Sequence, residues 1–497
     1  MRQLADCMPR TEPETALQGF RRSLAVADPI AALTSGMIGA SAKVDGPYGL
    51  KDLIYADYVA SGRALRQVET FVLEEVLPYY ANSHTEASFC GAMMTRMRRE
   101  ARATIAECCG ADSRHAVIFA GSGATAGINR LVKLLGVEDA VTTGKPARVI
   151  IGPYEHHSNI LPWRESGAEI IEIQEGCDGG PDLVLLEKAL EDSRDVLTIC
   201  SFSAASNITG ILTDIEAVTR LAKSAGAKIL WDFAGAGPYI PITMTPAEGA
   251  EIDAIVVSPH KFLGGPGASG ILVVRRDAVV TTKPSWPGGG TVKFVSPTGH
   301  DYSDNIEARE EAGTPNVIGD IRAALAFLVK HAIGLERIAS LNENFTARAF
   351  EAWQGIPQIE LLGSMSMSRL PIFSFRIRDG KGGYVHQQLI TRMLSDRFGI
   401  QARGGCACAG PYVHRLLSID DEHSERIRQS IRNGNEIEKP GFTRLNLSVL
   451  HSEEKVRFIL EAVIQLARDA PSHTASYMVD RSRAIFSPLA QPLKATA

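Results

Sequence analysis

No apolar run in this chain reaches the roughly 18 residues needed to cross a membrane, and its start, Met1-Arg-Gln-Leu-Ala-Asp, lacks the apolar core of a secretory signal. Charge of one sign is missing too. The 52 lysines and arginines nearly balance 57 aspartates and glutamates, and a net charge of −5 gives no footprint for a nucleic acid or other polyanion. Cysteine is sparse: the eight present have no small-scaffold spacing, which favours free thiols in a reducing compartment over a disulfide framework. These absences point to a cytoplasmic small-molecule enzyme with neither membrane nor nucleic-acid partner. The 497 residues, 45% hydrophobic and 22% charged, suit about two to four domains or one large enzyme unit.

The chain is organised around Ser258 to Gly270, which reads S-P-H-K-F-L-G-G-P-G-A-S-G. Upstream, Ile252 to Val257 has the β-branched, apolar pattern of a buried strand, and Gly270-Ile-Leu-Val-Val-Arg reads as another. Lys261 therefore stands at a strand end beside a glycine-rich turn that allows close approach. A semi-buried lysine of lowered pKa is a usual nucleophile for carbonyl chemistry, and a surface lysine in a loop is the plainer alternative.

Upstream, Ala116-Val-Ile-Phe-Ala reads as a strand that enters Gly121-Ser-Gly-Ala-Thr-Ala-Gly and then a helix from Ile128 to Leu135. Free N–H groups and the helix dipole there suit a phosphate, with Thr125 adding a hydroxyl. Gly121, Gly123 and Ala126 also match a dinucleotide fingerprint, but its acidic partner should follow a second strand, and Glu138 and Asp139 follow a helix. Further strands at Arg148-Val-Ile-Ile-Gly, Ile170-Ile-Glu-Ile, Val196-Leu-Thr-Ile-Cys and Lys228-Ile-Leu-Trp are separated by helix-length segments. This alternation predicts a largely parallel sheet whose strand ends carry His156, Asn207 and Asp232. Helix-like patches at Ala16 to Val26 and Pro29 to Met37 form an N-terminal extension, Gln67 to Tyr80 reads as a helix, and Met93 to Cys109 as a helix with Arg96, Arg98, Arg99 and Arg102 on a solvated face.

The stretches Ser122-Gly-Ala-Thr, Glu155-His-His-Ser-Asn-Ile-Leu-Pro-Trp, Asn207-Ile-Thr-Gly, Ser258-Pro-His-Lys, Pro284-Ser-Trp-Pro-Gly-Gly-Gly and Glu311-Ala-Gly-Thr-Pro-Asn occur in that order. In these the chain resembles class V aminotransferase-fold (fold-type I) pyridoxal-phosphate enzymes, most closely the cysteine desulfurase and selenocysteine lyase group. The resemblance implies an α/β fold with a mostly parallel, seven-stranded-type sheet in a large domain plus a smaller α/β domain. It implies pyridoxal 5′-phosphate as cofactor and no metal. Lys261 would hold the cofactor covalently and later move the Cα proton. Asp232 would pair with the ring nitrogen, His156 would stack on the ring, and Asn207 would reach its 3′-oxygen. Ala124, Thr125, Ser258 and His260 would hold the phosphate, and Thr314 would reach the phosphate of a neighbouring subunit, which makes the protein a homodimer.

Towards the C-terminus, Ile400-Gln-Ala-Arg-Gly-Gly-Cys-Ala-Cys-Ala-Gly-Pro-Tyr places Arg403 five residues before Cys408. The resembled families space a carboxylate-binding arginine and a reactive cysteine this way, and Arg444 would be a second carboxylate contact. Cys406 occupies a neighbouring position where relatives often carry histidine. A metal set of Cys406, Cys408 and His414 is the weaker alternative, because C-x-C is not the usual zinc spacing. The chain departs from the family pattern at Gly235, where relatives have glutamine, and at Ala126, where many have an acidic residue; both changes bear on the 3′-oxygen contacts. The expected organisation is an N-terminal extension over 1–49, a large cofactor domain over 50–305, and a small domain over 306–497 with an inserted segment at 416–442. The expected reaction is carbon–sulfur cleavage of L-cysteine or a related amino acid through a Cys408 persulfide, with a sulfur-acceptor protein as a partner. Alternatives are a class V aminotransferase, an epimerase or a β-lyase without a cysteine nucleophile, or a scaffold that has lost its chemistry.

Overall fold

Apolar runs rich in β-branched residues, most of them buried and the edge strand Glu169–Glu172 only partly so, form the centre of the molecule. In the computed structural model, which describes residues 14–83, 85–191 and 193–489, they are β1 His115–Gly121, β2 Ala147–Ile151, β3 Glu169–Glu172, β4 Leu197–Ser203, β5 Lys228–Asp232, β6 Ala254–Val257 and β7 Gly270–Arg275. Residues 1–13 of the expected N-terminal extension lie outside the described residues. The seven strands pair in the order β1-β7-β6-β5-β4-β2-β3. Only β7 runs against the rest, pairing antiparallel with both β6 and β1. The reason is the connection: parallel strands need a crossover, usually a helix, whereas the segment after β6 holds only a single short 3₁₀ turn, Pro259–Lys261. The sheet is covered on both faces, as the alternation of strands and helices predicted. Ile229 and Trp231 of β5 enter one apolar cluster and Leu230 the opposite one, the two-residue alternation of a strand.

Helices α1 Ala16–Ser23, α2 Pro29–Ser35, α3 Phe89–Cys108, α4 Gly123–Leu134 and α5 Val317–Ile333 dress this sheet. Thr15 caps α1 in a reciprocal box with Gln18, and Phe20 meets Phe71 edge-on at 5.3 Å, so the extension packs on the body. The helix expected over Gln67 to Tyr80 instead breaks into Arg66–Phe71, a π turn at Val72–Val76 and a 3₁₀ turn at Leu77–Tyr79. Pro78 lacks an N–H and crowds the preceding turn, so regular winding stops there. The arginine face of α3 is also not all solvated. Arg98 and Arg102 turn inward onto Glu311, at 2.5 and 2.7 Å, and Arg98 also meets Asp320 at 2.6 Å.

A second sheet contains β8 Ile359–Leu361, β9 Ile372–Arg378, β10 Arg403–Gly405 and β11 Phe442–Asn446, in the order β8-β9-β11-β10, with Tyr384–Val385 pairing onto β9. The short strand Ile54–Tyr55 crosses to this region and pairs in parallel with Ile400–Gln401. Between β10 and β11 come α6 Gly410–Leu416 and α7 Asp421–Arg432; no residue of α7 is buried. Among the described residues no helix is long and apolar enough to cross a membrane.

The central helix α5 buries Lys330, whose Nζ donates to the Ile240 carbonyl at 2.5 Å and lies 5.6 Å from the Phe262 ring centre. Burial pushes this amine down to about 7, below the roughly 10.4 of an unfolded lysine. Between those values the unfolded chain binds the extra proton, so stability rises with pH across that window. Thermal midpoints of the cofactor-free protein should therefore climb from pH 7 towards pH 10 relative to Lys330→Met, which lacks the titration; parallel pH curves for the two proteins would contradict this assignment.

Candidate active site

The carboxyl ends of the parallel strands and the N-terminus of α4 converge on a cleft of about 720 Å³ open to solvent, within the size of small-molecule sites. Gly121 to Gly123 turns the chain from β1 into α4. Gly123 has φ +62°, and a Cβ there would lie 2.9 Å from the Ser258 hydroxyl, so only glycine permits this approach. The Ser258 Oγ accepts the Ala124 N–H at 2.9 Å, and Thr125 shares a 2.7 Å hydrogen bond with Ser158. The N-cap residue of α4, Ser122, makes no side-chain capping bond of its own. The first-turn amides and dipole of α4 therefore face the cleft beside hydroxyls and His260, an arrangement that accepts a phosphate without a metal.

Across the cleft, β5 ends in Asp232, 4% exposed. Its Oδ1 accepts the Ala234 N–H at 2.7 Å. Burial raises the carboxyl, while that hydrogen bond and Lys261 oppose the shift. Lys261 follows β6 and lines the same cleft. Desolvation pushes its amine down to about 8, against the pull of Asp232, with Arg444 and Arg403 adding to the fall. A lysine in this state has a far larger neutral fraction near physiological pH than a free lysine and is competent towards a carbonyl. His156 is lowered to about 4 by burial and then by Lys261, and His260 likewise. The Nδ1 of His156 accepts the Ser158 N–H at 3.1 Å, so in the neutral ring Nε2 carries the proton. Beneath it Glu155 is buried and accepts from Ser203 N at 2.9 Å, Ser203 Oγ at 2.7 Å and Asn159 Nδ2 at 2.5 Å. These bonds pin the turn that presents His156, while burial raises the Glu155 carboxyl to about 7.

The cysteine loop reaches this edge from the second sheet. Ala407 and Cys408 both adopt left-handed φ, 49° and 57°, a conformation that non-glycine residues rarely take without support. Support comes from the first sheet. His157 N donates to the Cys408 carbonyl at 2.7 Å, Gly410 N donates to His157 Nε2 at 3.0 Å, and Asn207 Nδ2 donates to the Ala407 carbonyl at 2.8 Å. On α6, Tyr412 donates to Glu175 at 3.2 Å, and Arg415 pairs with Glu172. Cys408 is exposed and Cys406 partly buried. The ring nitrogens of His414 meet the Gly410 carbonyl at 2.8 Å and the Ser424 hydroxyl at 3.0 Å.

Ala124, Thr125, His156, Asn207, Asp232, Ser258, His260 and Lys261 thus share one cleft. Thr314 stands on an exposed turn and does not line it. Arg403 and Arg444 are held by Asp57, 2.9 Å from each. Asp57 lies in Tyr55-Ala-Asp-Tyr, a stretch whose sequence shows only a short strand and turn and carries no chemical motif. His157 and Ser158 were likewise overshadowed by His156. The chemistry of the site fits pyridoxal phosphate: a phosphate cradle, a buried carboxylate for a ring nitrogen, an activated amine for the aldehyde, and the Asn207 amide, which gives one N–H to the Ala407 carbonyl and keeps a second. A Cβ at Gly235 would fit without displacing a neighbour, meeting Ala205 and Asn207 at an ordinary 3.7 Å.

Comparison with known proteins gives the chain's family and fold. The family described as Aminotransferase class-V matches residues 54–439. A cysteine desulfurase of Escherichia coli O7:K1 is 30% identical over 73% of this chain and 85% of its own length. A probable cysteine desulfurase of Streptomyces coelicolor is 28% identical over the same shares. Among solved structures, a cysteine desulfurase from Thermococcus onnurineus superposes with a TM-score of 0.70 at 24% identity, covering 84% of this chain and 95% of that one. One from Escherichia coli gives 0.69 at 21%, covering 89% and 98%.

Removing the His157 imidazole orphans the Gly410 N–H, a loss of about 1 kcal/mol or roughly fivefold in local opening. Amide exchange of peptides spanning 406–412 should speed up by that factor in His157→Ala, with strands of the first sheet unchanged; equal exchange in both proteins would show that the loop is held elsewhere.

Proposed function

We propose for this chain, which belongs to the class V aminotransferase family, a pyridoxal 5′-phosphate-dependent removal of sulfur from L-cysteine or a cysteine-like amino acid. The observation that carries this reading is the docking of an exposed cysteine loop, through His157 and Asn207, onto the sheet edge that holds Lys261 and Asp232. The naming of several relatives as cysteine desulfurases supports it.

When bound, the cofactor supplies an electron sink for the substrate Cα. Ala124, Thr125, Ser258 and His260 hold its phosphate, and Asp232 keeps its ring nitrogen protonated through a charge-assisted bond. Neutral His156 offers a flat face to the ring. The second N–H of Asn207 remains for the 3′-oxygen. Arg403 receives the substrate carboxylate with Arg444 behind it, and Lys261 takes the Cα proton at Nζ. The thiolate of Cys408 attacks the substrate sulfur; a sulfur–sulfur bond forms as the carbon–sulfur bond breaks. The electron pair stays with carbon and is protonated, so the products are alanine and a Cys408 persulfide. A thiol reductant or a sulfur-acceptor protein then takes the terminal sulfur. The exposed Thr314 turn, braced by Glu311 on Arg98 and Arg102, supports a homodimer in which each turn serves the other subunit's phosphate.

With L-cysteine and a reductant, the holoenzyme should release sulfide and alanine in equal amounts. Cys408→Ser should keep the bound-cofactor spectrum and lose sulfide release by at least about a hundredfold, while Cys406→Ser retains most of it. Pyruvate in place of alanine would favour a β-lyase without a cysteine nucleophile, and a persulfide found on Cys406 would move the nucleophile by two positions. Mixed Lys261→Ala and Thr314→Ala subunits, each inactive alone, should recover activity on subunit exchange; no recovery after demonstrated exchange would remove the shared site.

A further inference from the structure

Two thiols stand two residues apart in the loop between β10 and α6, and the backbone holds them in a defined relation. Ala409 N donates to the Cys406 carbonyl at 3.2 Å, and the residues in between, Ala407 and Cys408, have φ of 49° and 57°. A hydrogen bond from i+3 to i across two left-handed residues marks a type I′ turn. Such turns favour glycine, asparagine or aspartate at their centre. Alanine and cysteine are therefore held here against their preference, by the bonds that Asn207 Nδ2 and His157 N make to the turn's own carbonyls at 2.8 and 2.7 Å. The reversal draws the Cα atoms of Cys406 and Cys408 closer than the about 7 Å of two extended residues, into the roughly 4.4–6.8 Å span of a disulfide.

The two cysteines differ in surroundings. Both are free thiols, but Cys408 is exposed, whereas Cys406 is partly buried and packs against the apolar cluster of Tyr154, Ile208, Tyr412 and Val413. A persulfide ionises readily and needs water around its charge, which the position of Cys408 supplies. Moving that sulfur onto Cys406 would bring the charge against apolar side chains, at a desolvation cost. Attack by Cys406 on its neighbour carries no such cost, because the charge departs with the leaving sulfur. Fixed in the same turn, Cys406 also meets the persulfide at an effective concentration that dissolved thiols do not reach.

We infer that Cys406 is a second catalytic residue, a resolving thiol that expels the sulfur as hydrogen sulfide once Cys408 carries it. This inference rests on the Cys408 persulfide proposed above. The Cys406 thiolate attacks Cys408 Sγ, and a bond between the two Sγ atoms forms as the bond from Cys408 Sγ to the terminal sulfur breaks. The electron pair leaves with the terminal sulfur as hydrosulfide, which takes the proton that Cys406 gave up. The sulfur is thereby reduced to sulfide and the two cysteines are oxidised to a disulfide, so this step needs no outside reductant. A dithiol reductant then reopens the Cys406–Cys408 bridge by exchange before the next turnover, and an exposed bridge is readily reduced in this way.

The test gives the cofactor-loaded, fully reduced protein sub-stoichiometric L-cysteine, without oxygen or any other thiol, and follows alanine, sulfide and the mass of the alkylated peptide that carries both cysteines. Wild type should release sulfide equal to the alanine formed and leave an internal Cys406–Cys408 disulfide, seen as a peptide that takes up no alkylating agent. Cys406→Ser should form alanine, release at least about tenfold less sulfide, and retain one extra sulfur on Cys408. Excess dithiol reductant attacks the persulfide directly and should restore sulfide release to this variant, which a merely damaged site would not allow. A stable Cys408 persulfide in wild type, a persulfide on Cys406, a disulfide joining two subunits, or equal sulfide release by both proteins overturns the inference and leaves desulfurisation standing. No alanine from wild type overturns desulfurisation and this inference together. If Cys406→Ser does not fold, the wild-type peptide alone decides: the internal disulfide supports the inference and a lasting persulfide overturns it.

Discussion

Desolvation of Lys261 and Asp232 at one sheet edge is the constraint from which the site follows. Neither group is comfortable there: burial lowers the lysine and raises the aspartate, and each partly relieves the other. Such a pair persists only where the surrounding fold over-determines it. Here the parallel strands do so, because each delivers its last residue to the same edge with both faces already covered by helices. The histidines share the consequence. In a desolvated cleft next to an amine they stay neutral, and a neutral ring can pack against a flat ligand without adding charge.

A second dependence links the two regions of the chain. The cysteine loop takes backbone conformations that cost energy in isolation, and the groups that hold it, His157 and Asn207, belong to the first sheet. Cys408 is therefore presented by contacts that also border the cofactor cleft, so occupancy of the cleft and posture of the loop share the Asn207 side chain. The segment after the loop extends this tie through Tyr412 and Arg415, whereas α7 lies on the surface with no buried residue.

The arginines illustrate how one charge cluster can serve both folding and recognition. β10 and β11 force two guanidiniums together, and Asp57 relieves the repulsion from a strand nearly 350 residues away in sequence. One of the two guanidiniums is half exposed and the other buried, and the internal carboxylate holds both. Gly235, packed beside Asn207 with its unpartnered Oδ1, marks another place where this cleft differs from the pattern the resemblance implies.

What the amino-acid sequence determined by itself was the part written in local chemistry. Apolar β-branched runs, helix-length spacers and glycine turns specified the strands, their mostly parallel order and the edge at which Lys261, Asp232, His156 and Asn207 meet, because periodicity and turn residues act over a few positions. Tertiary structure decided what depends on contacts between distant segments. The inward turn of Arg98 and Arg102, the bracing of the cysteine loop by His157 and the capture of both arginines by Asp57 have no signature within a short window. Each depends on electrostatic or hydrogen-bond complementarity between groups brought together only when the sheets form, and that is a property of the packed chain.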